Sequence, residues 1–236
     1  LLSQFIILYH SDNSGSMKPK FIKKIVAKNN KIFTGFNQED SQEFLVYILD
    51  FFDNQLKQNK INDLFGIKIN KIVKCKALSC LKKSTTKETR LFLMLDIDDN
   101  LKDLNNCYRN YKISEKLEED NKYFCENCNK KRIASKRLQV ETWPKNLIIV
   151  LKRFQQDGYS FSKNDTFLDI PVYWRHNYKL KGGVIHSGRL GGGHYVYFGN
   201  YGNKWYLFDD SHISKIKINQ LDHYKKRAYL LHYRIE

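Results

Sequence analysis

No apolar run in this 236-residue sequence approaches the ~18 consecutive residues that a membrane-spanning helix needs, so no span is expected. A secretory leader is missing too. Phe5-Ile6-Ile7-Leu8 is too short an apolar core, and no basic segment precedes it. These absences make a soluble intracellular protein, cytoplasmic or nuclear, the expectation. There is no initiating methionine, and a chain opening Leu1-Leu2-Ser3-Gln4 reads as a fragment or a processed product. Internal repeats and long low-complexity segments are absent, which excludes a repeat array.

Acidic residues are in short supply: 25 Asp and Glu face 41 Lys and Arg, for a net charge of +16. That balance invites a nucleic-acid reading. However, 32 of the cations are Lys and only 9 are Arg, scattered along the chain. Surfaces that read bases favour clustered Arg with its bidentate fork, so a nucleic-acid partner is not expected. Five cysteines in a basic, reducing context argue against a disulfide scaffold, and two pairs with one left over suggest a metal site. With 42% hydrophobic and 14% aromatic residues the chain can bury a core, in one large domain or two small ones.

Along the chain, Ser11 to Ser16 is a loop by composition, and Pro19 opens a short helix through about Lys28 with Phe21, Ile22, Ile25 and Val26 on one face. A stronger helix follows, with Asn37 as N-cap and Asp40 three residues on, as in a capping box. Phe44, Leu45, Ile48, Leu49, Phe52 and Leu56 give it a broad apolar stripe. Ile67, Ile69 and Val73 and then Leu91 to Leu95 read as strands, and a short helix is expected from Leu101 to Tyr111. Leu147 to Leu151 is a continuous apolar run that fits a buried central strand. Further strands are read at Tyr178 to Leu180, Val184 to His186, Tyr195 to Phe198, Trp205 to Phe208 and Tyr229 to Tyr233. Helices first and strands second make the class α+β.

Two constellations carry chemistry. Cys125-Glu-Asn-Cys128 has the two-residue gap that lets both thiolates reach one tetrahedral zinc, and Cys75 and Cys80 form a wider second pair. Four thiolates leave no open position for water, so such a zinc would be structural. The second constellation is Gly191-Gly192-Gly193-His194, followed by a turn-rich stretch from Gly199 to Asn203 and then Asp209 and Asp210. Counting about a turn centred between Tyr201 and Gly202 makes His194 and Asp209 cross-strand neighbours. A carboxylate there would fix the imidazole tautomer and leave the other nitrogen to deprotonate a nucleophile. The three glycines would let substrate backbone pass close by.

These segments resemble the ubiquitin-specific proteases, a family of papain-like cysteine deubiquitinases. Asn37-Gln-Glu-Asp-Ser-Gln-Glu-Phe-Leu45 is similar to their glutamine-rich box, and Tyr123-Phe-Cys125-Glu-Asn-Cys128 to their zinc knuckle. Trp143-Pro-Lys-Asn-Leu-Ile-Ile-Val-Leu-Lys-Arg-Phe154 resembles their core strand. Val184-Ile-His-Ser-Gly-Arg-Leu-Gly-Gly-Gly-His194-Tyr, with Trp205-Tyr-Leu-Phe-Asp209-Asp210, resembles their histidine box. The resemblance implies a hand: a partial thumb (1–62), mainly fingers with the zinc ribbon (63–142) and a palm with the histidine box (143–236), within a single catalytic domain. It implies His194 as general base, Asp209 as its orienting carboxylate with Asp210 in support, and Gln38, Asp40 and Glu43 along the channel for ubiquitin's C-terminal tail. Ubiquitin or ubiquitinated proteins would be the partners, with no membrane partner, and Cys75, Cys80, Cys125 and Cys128 would hold zinc.

The box carrying the nucleophilic cysteine is expected upstream, with Leu1-Leu-Ser-Gln4 as the tail of its helix. Asn105-Asn-Cys107-Tyr108-Arg-Asn110 imitates that box. The polar, acidic stretch after it places Cys107 in the fingers instead and denies it the nucleophile's role. Two other readings compete: a catalytically inactive ubiquitin-binding module and a zinc-ribbon nucleic-acid binder.

Overall fold

The structure, a computed structural model, describes every residue except 1–19, 36, 57–58, 158–159 and 190–191. The loop read at Ser11 to Ser16, the helix start at Pro19, the segment Leu1 to Gln4 and Gly191 lie outside the described residues. The chain divides into two compact units, Leu1–Ile48 and Leu49–Glu236.

In the first unit, helix α1 (Lys20–Asn29) buries Val26, while the side chains of Phe21 and Ile25 lie outside the described ones. Helix α2 (Ser41–Leu56) begins at Asp40 rather than Asn37. The Asp40 carboxylate oxygen Oδ1 accepts from the backbone N–H of Gln42 at 2.7 Å and of Glu43 at 3.1 Å. Those are two of the orphan donors of the first turn, so Asp40 is itself the cap and not the reciprocal partner of a capping box. Phe33 meets the Phe44 ring edge-on at 5.4 Å.

The second unit continues through α2, where Asp53 accepts from the N–H of Ile61, into α3 (Lys60–Phe65). Strand β1 (Ile67–Cys75) buries Ile67, Ile69, Val73 and Cys75 on one face, with Lys71 exposed among them, and Ile72 on the other. It is followed by β2 (Lys83–Arg90), β3 (Phe92–Leu95), α4 (Leu104–Tyr111), β4 (Glu115–Leu117), the hairpin β5 (Tyr123–Cys125) and β6 (Lys130–Arg132), and β7 (Ala134–Thr142). Strands β2, β1, β7 and β4 form an antiparallel sheet in that order. α4 starts three residues later than expected because Asp103 caps it, accepting from the N–H of Asn106 at 2.8 Å.

The larger sheet is built on β8 (Asn146–Leu151), whose Leu147 to Leu151 are all buried. That run is fully apolar because the strand is central. It pairs in parallel with β3 on one side and antiparallel with β16 (Ala228–Ile235) on the other. Between β8 and β16 come the hairpin β9 (Phe154–Asp157) and β10 (Ser160–Lys163), then β11 (Tyr173–Trp174), β12 (Tyr178–Arg189), β13 (Gly192–Tyr201), β14 (Lys204–Asp209), β15 (His212–Ile216) and the short helix α5 (Leu221–Lys225). Sheet order is β15-β14-β13-β12-β16-β8-β3, with β11 beside β12. The parallel β3–β8 pair requires a long crossover, and α4 with the smaller sheet's later strands fills it. Leu93, Leu95, Leu104, Cys107, Ile149, Leu168, Tyr178 and Tyr233 belong to one buried cluster.

Candidate active site and metal site

His194 and Asp209 do meet, but not as directly opposed residues. The β13–β14 ladder runs from Tyr201↔Lys204 to Tyr197↔Phe208. The turn is therefore the two-residue Gly202-Asn203, both with positive φ (54° and 63°), as a tight type I′ hairpin requires. Extending that register sets Asp209 opposite Val196, and His194 lies two residues along on the same face. The contact is diagonal: His194 Nε2 stands 2.5 Å from Asp209 Oδ1. A strand pairing on the far side, Ser187↔His194, holds the histidine in β13.

With Asp209 accepting from Nε2–H, the lone pair of the neutral ring is on Nδ1, the nitrogen that could accept a proton. Asp210 follows in left-handed backbone (φ 49°), and one ligand atom from each of His194, Asp209 and Asp210 lies within 4.8 Å of the others. The Asp209 hydrogen bond raises the His194 pKa above the ordinary imidazole range; burial opposes this, and the charges of Asp209 and Asp210 reinforce it. The side chains of His194 and Asp209 remain 48% and 45% exposed, so a substrate or nucleophile can reach them.

The four cysteines converge. Sγ atoms of Cys75, Cys80, Cys125 and Cys128 all lie within 4.8 Å of one another, with Cys80 and Cys125 at 3.7 Å. Zinc–sulfur bonds of ~2.3 Å at tetrahedral angles set neighbouring sulfurs about 3.75 Å apart, so the donor set fits that ion. All four are free thiols, with no disulfide among them. The wider gap between Cys75 and Cys80 is taken up by a turn in which the N–H groups of Cys80 and Leu81 both bond the Ala77 carbonyl. Backbone N–H of Lys82 and the amide of Asn127 favour the Cys80 thiolate, bringing its pKa down to about 6 against the cost of burial. This cluster could hold a metal ion.

Cys107 is elsewhere. The expectation that it sits among the fingers is corrected: α4 packs beneath β3, and Cys107 is wholly buried in the core cluster. Its helix does dock into the core, because Leu104, Cys107 and Tyr108 share one face despite the polar residues after it. Burial, with the charges of Asp103 and Asp96, pushes its thiol up to about 11, the reverse of an activated nucleophile. Gln38 and Glu43 are exposed on the first unit, while Asp40 is partly buried as the helix cap.

The sequence matches the family described as ubiquitin carboxyl-terminal hydrolase over residues 1–233. The chain belongs to that family. Among curated proteins it is 28% identical over 247 residues to the probable ubiquitin carboxyl-terminal hydrolase 8 of Schizosaccharomyces pombe, covering 97% of this chain and 53% of that protein. It is 30% identical to ubiquitin carboxyl-terminal hydrolase 8 of Saccharomyces cerevisiae, covering 88% and 52%. The fold superposes on the SAGA DUB module of Ubp8, Sgf11, Sus1 and Sgf73 bound to monoubiquitin with a TM-score of 0.78, at 30% identity over 92% of this chain and 53% of that one. The same module bound to ubiquitin aldehyde gives 0.78 at 28% identity. The chain thus spans about half the length of the curated relatives it matches. As a member of this family it has the α+β fold of the family's catalytic domain. Among the described residues no helix is long and apolar enough to cross a membrane.

Two residues beside the site carried no role in the sequence reading. His186, in β12, is 7% exposed with its ring 4.7 Å from that of Tyr195. Lys163, from β10, donates to the His186 carbonyl at 3.0 Å. Neither has a spacing signal: the register of β12 against β13 brings His186 to the site, and a hydrogen bond from β10 brings Lys163 to His186.

Proposed function

We propose that this chain is the histidine-bearing part of a thiol deubiquitinase that hydrolyses peptide and isopeptide bonds at the C-terminal glycine of ubiquitin. The observation that carries the reading is the His194–Asp209 pair, at 2.5 Å on an accessible hairpin end of the ubiquitin hydrolase fold. His194 takes the thiol proton at Nδ1. The thiolate attacks the glycine carbonyl carbon, and the imidazolium returns the proton to the departing amine. Water then attacks the thioester with His194 again as base, releasing the carboxylate and the thiol. Asp209 fixes the tautomer and stabilises the imidazolium, and Asp210 adds negative charge beside it.

The nucleophile is a cysteine outside these 236 residues. Four of the five present converge on one metal-type cluster and the fifth is buried with its thiol pKa raised. Residues 63–142 act mainly as fingers, the core-packed helix of Cys107 apart, with Cys75, Cys80, Cys125 and Cys128 holding a structural zinc, 143–236 as palm and 1–62 as partial thumb. Gln38, Asp40 and Glu43 line the channel for the ubiquitin tail, whose arginines suit carboxylate partners. Ubiquitin carrying a cysteine-reactive C-terminal electrophile tests the reading. It should label the full-length protein but not the 236-residue chain; labelling at Cys107 would refute it.

A further inference from the structure

The His194–Asp209 pair is half exposed, so its own packing cannot fix where the imidazole points. The chain before it makes the problem sharper: Gly192 and Gly193 lead directly into His194, and glycine backbone has the most conformational freedom to lose. Something beneath the strand must supply the constraint. A Cβ placed on Gly193 would lie only 2.2 Å from His186 Nε2, so the imidazole edge of His186 is pressed against the residue that precedes His194. Gly188, at φ +118°, closes the other side, where a Cβ would come 2.6 Å from the Gly193 Cα.

The His186 ring is itself held. It is 7% exposed and packs between Phe154 at 5.2 Å and Tyr195 at 4.7 Å. Its carbonyl accepts from the Lys163 ammonium, whose side chain is only 12% exposed and is paired with Asp165 at 2.9 Å. The strand registers His186↔Tyr195 and Ser187↔His194 then transmit that position across the ladder.

We infer that His186 is a positioning residue of the active site: its buried ring, carried on backbone that Lys163 anchors, forms the floor under Gly193 that aims His194 at Asp209. The inference rests on the function proposed above, yet its first readout does not need catalysis. In the 236-residue chain, imidazole NMR should show His194 titrating above the ordinary value of about 6.5. In His186→Ala it should fall back toward that value, because the Asp209 contact is no longer enforced. His186→Gln, which keeps a planar polar edge, should restore most of the elevation. In the full-length protein His186→Ala should lower kcat at least ~10-fold with KM within about 2-fold, as for a misaimed catalytic group.

Lys163→Met removes only the anchor and should give the same changes in smaller measure. If His186→Ala fails to fold, that variant decides. An unaltered His194 titration in folded His186→Ala or Lys163→Met overturns the inference, whether or not the full-length protein proves to be a deubiquitinase. A rise of KM with kcat unchanged in His186→Ala would overturn it equally, since that pattern marks lost substrate binding.

Discussion

Arg153 offers the most demanding test of how the larger sheet is held. It sits just after β8 with 2% of its surface exposed. Nε donates to the Ala228 carbonyl at 2.7 Å, Nη1 to those of Asn164 and Thr166 at 2.9 Å, and Nη2 to that of Lys226 at 3.0 Å. One guanidinium thus ties the end of the central strand to the segment after β10 and to the α5–β16 turn. Burial lowers its pKa to about 10, so it stays charged at neutral pH. Arg153→Met keeps most of the volume and removes every donor. Of the four carbonyls, that of Lys226 keeps a second donor in Leu168 N–H at 3.2 Å. Leaving the other three short of a partner at ~1–2 kcal/mol each predicts a loss of about 3–6 kcal/mol. Against a total stability of about 5–15 kcal/mol, the variant should be marginal at 37 °C. Urea denaturation measures this directly, and the m-value should stay unchanged so that the midpoint alone moves. Arg153→Lys should rescue little, because a point ammonium cannot span the fork of acceptors. A loss below ~1 kcal/mol for Arg153→Met would refute the reasoning, by showing that the carbonyls find other donors.

Other consequences follow from the two sites. Elemental analysis of the reduced protein should find about one zinc per chain, and chelation or Cys125→Ser should lower the melting temperature; protein free of metal would overturn the assignment. Asp209→Asn should bring the His194 titration down further than Asp210→Asn, since the hydrogen bond outweighs the neighbouring charge. The sign is that of a raised histidine: the pair's stabilisation is full below the unfolded pKa and lost as pH rises through the raised value, so Asp209→Asn should matter less for stability at alkaline pH. Asp40→Ser separates two roles, because serine keeps the helix cap but not the charge; stability should hold within ~0.5 kcal/mol. Calorimetry should then show weaker ubiquitin binding by about 2 kcal/mol or more, and unchanged affinity would leave Asp40 a cap alone.

Much of the two sheets was legible because several of their strands declare themselves. The Leu147 to Leu151 run could only be buried on both faces, and the alternation in β1 marked one buried face. Strands β2 and β7 were missed: Lys83–Arg90 and Ala134–Thr142 are largely polar, and they became strands by pairing with β1 rather than through their own pattern. The histidine hairpin was placed two residues out of register because Gly199 to Asn203 all read as turn, whereas Gly199 and Asn200 continue β13 opposite Tyr206 and Trp205. The pair survived the error since diagonal and direct neighbours are both within reach of a histidine. Cys107 and Arg153 were not legible in the same way. What each does depends on which elements from distant sequence close over it, and no local pattern encodes that.

The central claim is that His194 is the base of a thiol hydrolase. It is tested most directly by hydrolysis of a ubiquitin C-terminal amide by the full-length protein and its His194→Gln variant. The account predicts a fall in kcat/KM of at least ~10³-fold, since a thiol without its base has no route to the thiolate at neutral pH. Ubiquitin binding should change little, and the 236-residue chain alone should show no turnover. A His194→Gln protein that keeps its rate, or robust cleavage by the 236-residue chain, would contradict it.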